Sequence, residues 1–200
     1  MKNQGQCGSC WAFSTVGSLE GAHFISGEQL VEFSEQQLVD CSHPYGNNGC
    51  LGGLMNQSFW YVHDHGITTE AKYPYRGWKL PSCKYTDADK EWSISDCTEV
   101  TVNSQMALRA AVAKTPVSVA IQANQMGFQL YKSGVFSGAC GTKLDHGVLV
   151  VGYGKDGKDF WKVKNSWGAQ WGENGFIRLV DNGDGPGQCG IQMAAAFPLA

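Results

Sequence analysis

Eight cysteines in 200 residues constrain this chain more than any other feature. Such a density belongs to oxidising compartments, where cross-links staple a fold, or to metal sites. Four disulfides, a zinc site, or a mixture that leaves a reactive thiol are the alternatives. Structural zinc uses paired short spacings, and Cys7-Gly8-Ser9-Cys10 is the only C-x-x-C here. Zinc is therefore disfavoured, and no metal or other cofactor is expected. With 42% hydrophobic and 16% charged residues the chain can bury a core, unlike a disordered segment. A net charge of −3 gives no basic patch for nucleic acid. No apolar run approaches the ~20 residues of a membrane span. The segment from Met1 to Gln4 lacks the apolar region of an export signal, so a processed or shortened chain is expected.

The two halves are patterned differently. Ser9 precedes apolar residues at helical spacing (Ala12, Val16, Leu19), and that stretch can run to Ser26 and stop at Gly27. Ser34-Glu35-Gln36-Gln37 reads as a capping box for a short helix towards Asp40. A third helix is expected from Leu54 to about Asp64. Beyond residue 97 the pattern becomes strand-like: Val117–Ile121, Gly147–Tyr153, Phe160–Lys164 and Phe176–Val180, with a helix at Ser104–Lys114 as the exception. Helices first and strands second predict an α+β fold of two lobes meeting in a cleft. The expected division is a helical lobe over 1–96 and a β-rich lobe over 97–200. A chain of this length suits that plan.

Cys10 stands at the expected start of the first helix. Unpaired amides and the helix dipole favour an anion there, so its thiol should be unusually acidic and nucleophilic. The same amides, with the Gln4 side-chain amide, could hold an oxyanion. A redox C-x-x-C is the rival reading. That motif sits between a strand and a helix in a βαβ pattern, which is absent here. A nucleophilic cysteine also needs a base, and the base needs a third group to hold its ring. His23 falls inside the first helix, His63 and His65 near the end of the third, and His43 in a polar loop. His146 instead opens a strand, 136 residues after Cys10, and Asn165 follows at 155.

Cys7-Gly8-Ser9-Cys10-Trp11 matches the active-site signature of papain and the cathepsins at every position. In that family His and Asn lie about 130–150 residues downstream. Asp145-His146-Gly147-Val148 and Asn165-Ser166-Trp167-Gly168 resemble two further family blocks, and Gly49-Cys50-Leu51-Gly52-Gly53 a fourth. Four blocks in order across nearly the whole chain resemble a papain-family cysteine peptidase of the cathepsin L type. The resemblance implies a papain-like two-lobe fold, with a β-barrel-like second lobe and the active site between the lobes. It implies Cys10 as nucleophile, His146 as base, Asn165 as orienter, and Gln4 with the Cys10 amide as oxyanion hole. Trp167 would shield the Asn–His bond, and Trp171 would line the primed side of the cleft.

For the pocket that takes the second residue before the scissile bond (P2), the resemblance implies Leu54, Met55, Ala120, Leu144, Gly147 and Ala194, beside Gly52 and Gly53, with Asp145 also among the substrate-binding residues. This lining predicts a hydrophobic or aromatic P2 residue. No long His-containing insertion of the cathepsin B type follows Cys83, which favours endopeptidase action. Disulfides Cys7–Cys50, Cys41–Cys83 and Cys140–Cys189 are likewise implied, leaving Cys97 unpaired. The expected partners are peptide and protein substrates, a propeptide and cystatin-type inhibitors, acting on a monomer in a lysosomal, endosomal or secreted setting. The sequon Asn56-Gln57-Ser58 falls on the third helix beside the pocket and is expected to be unused. Family chains begin with a further V-D-W-R-like stretch. Its loss is expected to uncover apolar surface such as Phe176 and Ile177. A catalytically silent papain-like domain that only binds peptides or inhibitors is the alternative.

Overall fold

A computed structural model describes residues 1–200. Five helices occur, α1 (Cys10–Ile25), α2 (Glu35–Cys41), α3 (Met55–His65), α4 (Gln105–Val112) and α5 (Met126–Gln129). Seven strands, β1 (Asp96–Glu99), β2 (Val117–Ile121), β3 (Val135–Phe136), β4 (His146–Asp156), β5 (Lys158–Lys164), β6 (Phe176–Val180) and β7 (Ala195–Leu199), join in the order β1-β7-β2-β4-β5-β6-β3. Only the short β3–β6 pair is parallel. One apolar core gathers Trp11, Val16, Leu19, Leu38, Phe59 and Ile67 around α1–α3. A second gathers Val119, Val150, Trp161, Val163, Ile177 and Leu179 on the sheet. The result is an α+β, papain-like two-lobe fold.

The join between the lobes is built from small residues on α1. The helix offers Trp11, Val16 and Leu19 to the first core. Ser14, Gly17, Ser18 and Gly21 face the sheet. A Cβ on Gly17 would come within 2.7 Å of the Leu149 side chain, and one on Gly21 within 2.6 Å of Pro116. Hydrogen bonds fill the rest of this seam. Ser14 Oγ donates to Val148 O at 2.6 Å, Ser18 Oγ to Pro116 O at 2.7 Å, and Ser118 Oγ to Ser14 O at 2.9 Å. A helix clamped on both sides holds its N-terminal Cys10 rigidly against the start of β4.

The disulfides are Cys7–Cys50, Cys41–Cys83 and Cys140–Cys189, closing separations of 43, 42 and 49 residues. Cross-links of this kind add about 2–4 kcal/mol each. Cys10 and Cys97 are free. Two local expectations differ from the structure. The capping box at Ser34 is half formed: Ser34 Oγ accepts from Gln37 N at 3.0 Å. Gln37 does not reach back, because its side chain is taken by Tyr61 Oη, Gly66 O and Thr68 N, tying α2 to the end of α3. Ile177 is not uncovered either. It is fully buried in the second core, since β6 lies inside the sheet, while Phe176 beside it is half-buried.

Candidate active site

The chemistry assembles where α1 begins and β4 begins. Ser9 precedes α1 without a side-chain cap, and the first turn holds no acidic residue. Nothing there competes for the positive end of the helix. Gly8 must be glycine, because an added Cβ would sit 2.5 Å from Cys50 O. Gly8 N donates to that same carbonyl at 2.9 Å, so the Cys7–Cys50 disulfide and this bond together aim Cys10. On the other wall, His146 pairs with Ile121 at the end of the β2–β4 ladder. Gly147 N donates to Cys10 Sγ at 3.4 Å across the seam.

His146 Nε2 lies 2.7 Å from Asn165 Oδ1, and both residues are buried. The Trp167 ring packs against His146, with centroids 4.8 Å apart and the planes at 35°. Burial pushes the Cys10 thiol up, but the neighbouring His146 together with the Gly147 and Trp11 amides outweighs it, so its pKa is lowered. Burial alone pushes His146 down, but Cys10 and Asn165 outweigh it, so its pKa is raised. Each group thus favours the other's charged form. Gln4 Nε2 donates to Cys7 O at 3.0 Å and its Oε1 accepts from Ser166 Oγ at 2.7 Å, which fixes the amide beside Cys10. Around these groups runs a cleft of about 660 Å³.

Residues 1–199 match the family described as papain family cysteine protease. The chain belongs to the papain family. A thiol protease from Hemerocallis is 50% identical over 202 residues, covering all of this chain and 56% of that protein. The papain-family chain therefore spans little more than half the length of this curated relative. The proform of Amb a 11, a cysteine protease and ragweed pollen allergen, superposes with a TM-score of 0.95 at 47% identity over all of this chain and 61% of that one. The bromelain protease from Ananas comosus, solved with the E64 inhibitor, superposes with a TM-score of 0.93 at 41% identity, covering all of this chain and 92% of that one.

Within this papain-family fold, the cleft is lined by Gln4, Cys10, Gly52, Gly53, Leu54, Met55, Ala120, Leu144, Asp145, His146, Gly147, Trp167 and Ala194. All were singled out from sequence. Asn165 lies behind His146. Trp171 is not among the lining residues. It packs on Trp167, with ring centroids 5.3 Å apart, and donates Nε1 to Gln129 O at 3.0 Å. Asp145 does more than line: its Oδ1 accepts from Ala123 N at 2.7 Å, pinning the turn before His146. Sequence reasoning missed Glu99, Val100, Val102 and Met193, which also line the cleft. They arrive through β1 and the segment before β7, whose pairing joins residues about a hundred apart. No local periodicity carries that signal. Asn56 lines the cleft as well, its Nδ2 donating to Glu99 Oε1 at 3.2 Å, and Ser58 of the sequon is fully buried.

Proposed function

We propose that this chain is the catalytic part of a cysteine endopeptidase, with Cys10 as nucleophile and His146 as its acid–base partner. The observation that carries the reading is the Cys10–His146–Asn165 arrangement at the floor of an open cleft. The thiolate attacks the scissile carbonyl carbon. The oxyanion that forms is received by the Cys10 N–H, which makes no backbone hydrogen bond within the chain, and by the second Gln4 N–H. The His146 imidazolium then protonates the leaving amine, giving an acyl-enzyme that water hydrolyses. Asn165 Oδ1 holds the ring in register while Trp167 keeps water from that bond.

Gly52 and Gly53 form an open edge for the substrate backbone, as in strand addition. The walls of Leu54, Met55, Ala120, Leu144, Gly147 and Ala194 select a hydrophobic or aromatic P2 side chain, each buried methylene being worth roughly 1–3 kcal/mol of discrimination. Trp171 supports the primed side through Trp167. Residues 1–96 and 97–200 supply the two walls. The partners are peptides and proteins, a propeptide like that in the Amb a 11 proform, and cystatin-type or E64-type inhibitors. The three disulfides support a secretory or endomembrane compartment, where such cross-links persist. The test is hydrolysis of matched peptides that differ only at P2. Leu or Phe should be cleaved faster than Arg, and Cys10→Ala should abolish all cleavage. Arg preferred over Leu, or activity surviving in Cys10→Ala, would overturn the reading.

A further inference from the structure

We infer that Glu99 is a second specificity determinant of the cleft, a carboxylate at the end of the apolar pocket that accepts the cationic head of a Lys or Arg residue at P2. The inference rests on the proposed peptide-binding role of the cleft. The placement follows from strand geometry. In β1, residues two apart share a face. Cys97 packs against the first core, so Glu99 points to the same side, towards α3. There it meets Asn56, its only side-chain hydrogen-bond partner, at 3.2 Å. β1 pairs with β7 so that Glu99 stands opposite Ala196. Glu99 therefore lines the cleft together with Met55, Asn56, Ala194, Ala195 and Ala196.

This carboxylate has no ion-pair partner, although eight ion pairs are made elsewhere. Asn56 supplies a neutral donor to one oxygen and leaves the negative charge uncompensated. The cleft thus offers an apolar wall followed by an unpaired anion. That sequence of surfaces suits a side chain with an aliphatic stem and a cationic tip, because Lys and Arg lay their stems on apolar surface while the head seeks polar contact. Leu or Phe fills the wall and ignores Glu99. Arg crosses the wall and reaches it. Ala194 contributes only a methyl group and leaves the path open. Glu99 is itself exposed, so its attraction is screened by salt. Basic P2 residues are accepted second to apolar ones.

The experiment measures binding to the Cys10→Ala protein, so that turnover does not enter. Three peptides are compared that differ only at P2: Leu, Arg, and citrulline, which has the size and hydrogen-bonding shape of Arg without its charge. Arg should bind more tightly than citrulline by about threefold to tenfold, between the worth of an exposed ion pair and of a hydrogen bond to a charged group. Glu99→Gln should remove that advantage, and raising the salt to several times the physiological level should shrink it in the protein with Glu99 intact. The salt arm needs no second variant. Equal binding of Arg and citrulline, an advantage indifferent to salt, or one that survives Glu99→Gln would overturn the inference. Where the Leu peptide binds but Arg and citrulline do not differ, only the role of Glu99 fails. Binding of none of the three removes the peptide-cleft reading and this inference with it.

Discussion

Replacing Asn165 with Ala isolates the part of the site that does no bond-making. Asn165 Oδ1 accepts from His146 at 2.7 Å and from Ser166 N at 2.8 Å. Its Nδ2 makes no hydrogen bond, so removing the amide nitrogen breaks none. The loss is then the oxygen. In the reactive state the imidazole is charged, and a hydrogen bond to a charged group is worth about 1.5–3 kcal/mol. The ring is buried and packed against Trp167, so little solvent is at hand to replace the acceptor. The full figure should therefore appear, as a fall in kcat/KM of roughly 10- to 150-fold at about 1.4 kcal/mol per decade.

The pH profile adds a second readout. Thiolate and imidazolium coexist above the lowered pKa of Cys10 and below the raised pKa of His146. Activity should rise through the first and fall through the second, giving a bell. Asn165 is one of the causes that raise His146. Its loss should move the alkaline limb to lower pH and leave the acid limb nearly in place. The assay is kcat/KM against pH for both proteins, with circular dichroism to check the fold. A loss under threefold together with an unmoved alkaline limb would refute the orienting role.

Two further outcomes test the supports around the site. Lys2 Nζ lies 2.7 Å from buried Glu35 and 3.2 Å from Glu20. Burial already pushes the Glu35 carboxyl up to about 8, so Lys2→Met should leave it protonated and short of a donor, at a cost of about 1–3 kcal/mol, read in thermal unfolding as a drop of roughly 2–12 °C; an unchanged melting temperature would show that this pair stabilises nothing. A Cβ on Gly53 would lie 2.6 Å from Asn47 Oδ1 and 2.7 Å from the Trp11 ring, and that same oxygen accepts from Leu54 N at 2.8 Å. Gly53→Ala should cost about 1–3 kcal/mol of overpacking and raise KM more than it lowers kcat. A variant with normal KM would show that the glycine edge does not carry the substrate.

The parts of this molecule legible in the sequence are those governed by local rules. The α1 helix follows from its apolar spacing and Gly27, and β6 from a run of large apolar and β-branched residues. The Cys10, His146 and Asn165 blocks are contiguous motifs and survive any error in element boundaries. The rest depends on long-range pairing. β1 is largely exposed and polar, and it becomes a strand because β7 lies beside it. α5 has a single buried residue, Phe128, which packs near Trp167 and Trp171. Gln37 looked like half of a capping box because its other partners, Tyr61, Gly66 and Thr68, lie 24 to 31 residues away. Glu99 escaped for the same reason: its neighbour Ala196 is remote in sequence, and nothing in Asp96–Glu99 marks a cleft.

The central claim is that one of the two free thiols, Cys10, is the nucleophile. It is tested most directly by titrating the protein with a thiol-reactive epoxide and mapping the adduct by mass spectrometry while following peptide hydrolysis. Cys10 is paired with His146 and has a lowered pKa, whereas burial and the nearby charges of Asp96 and Glu99 raise that of Cys97. The account predicts one adduct per chain, on Cys10, at neutral and mildly acidic pH, with activity falling in proportion to it. Hydrolysis that persists when Cys10 is fully modified, or that falls only as Cys97 is modified, would contradict it.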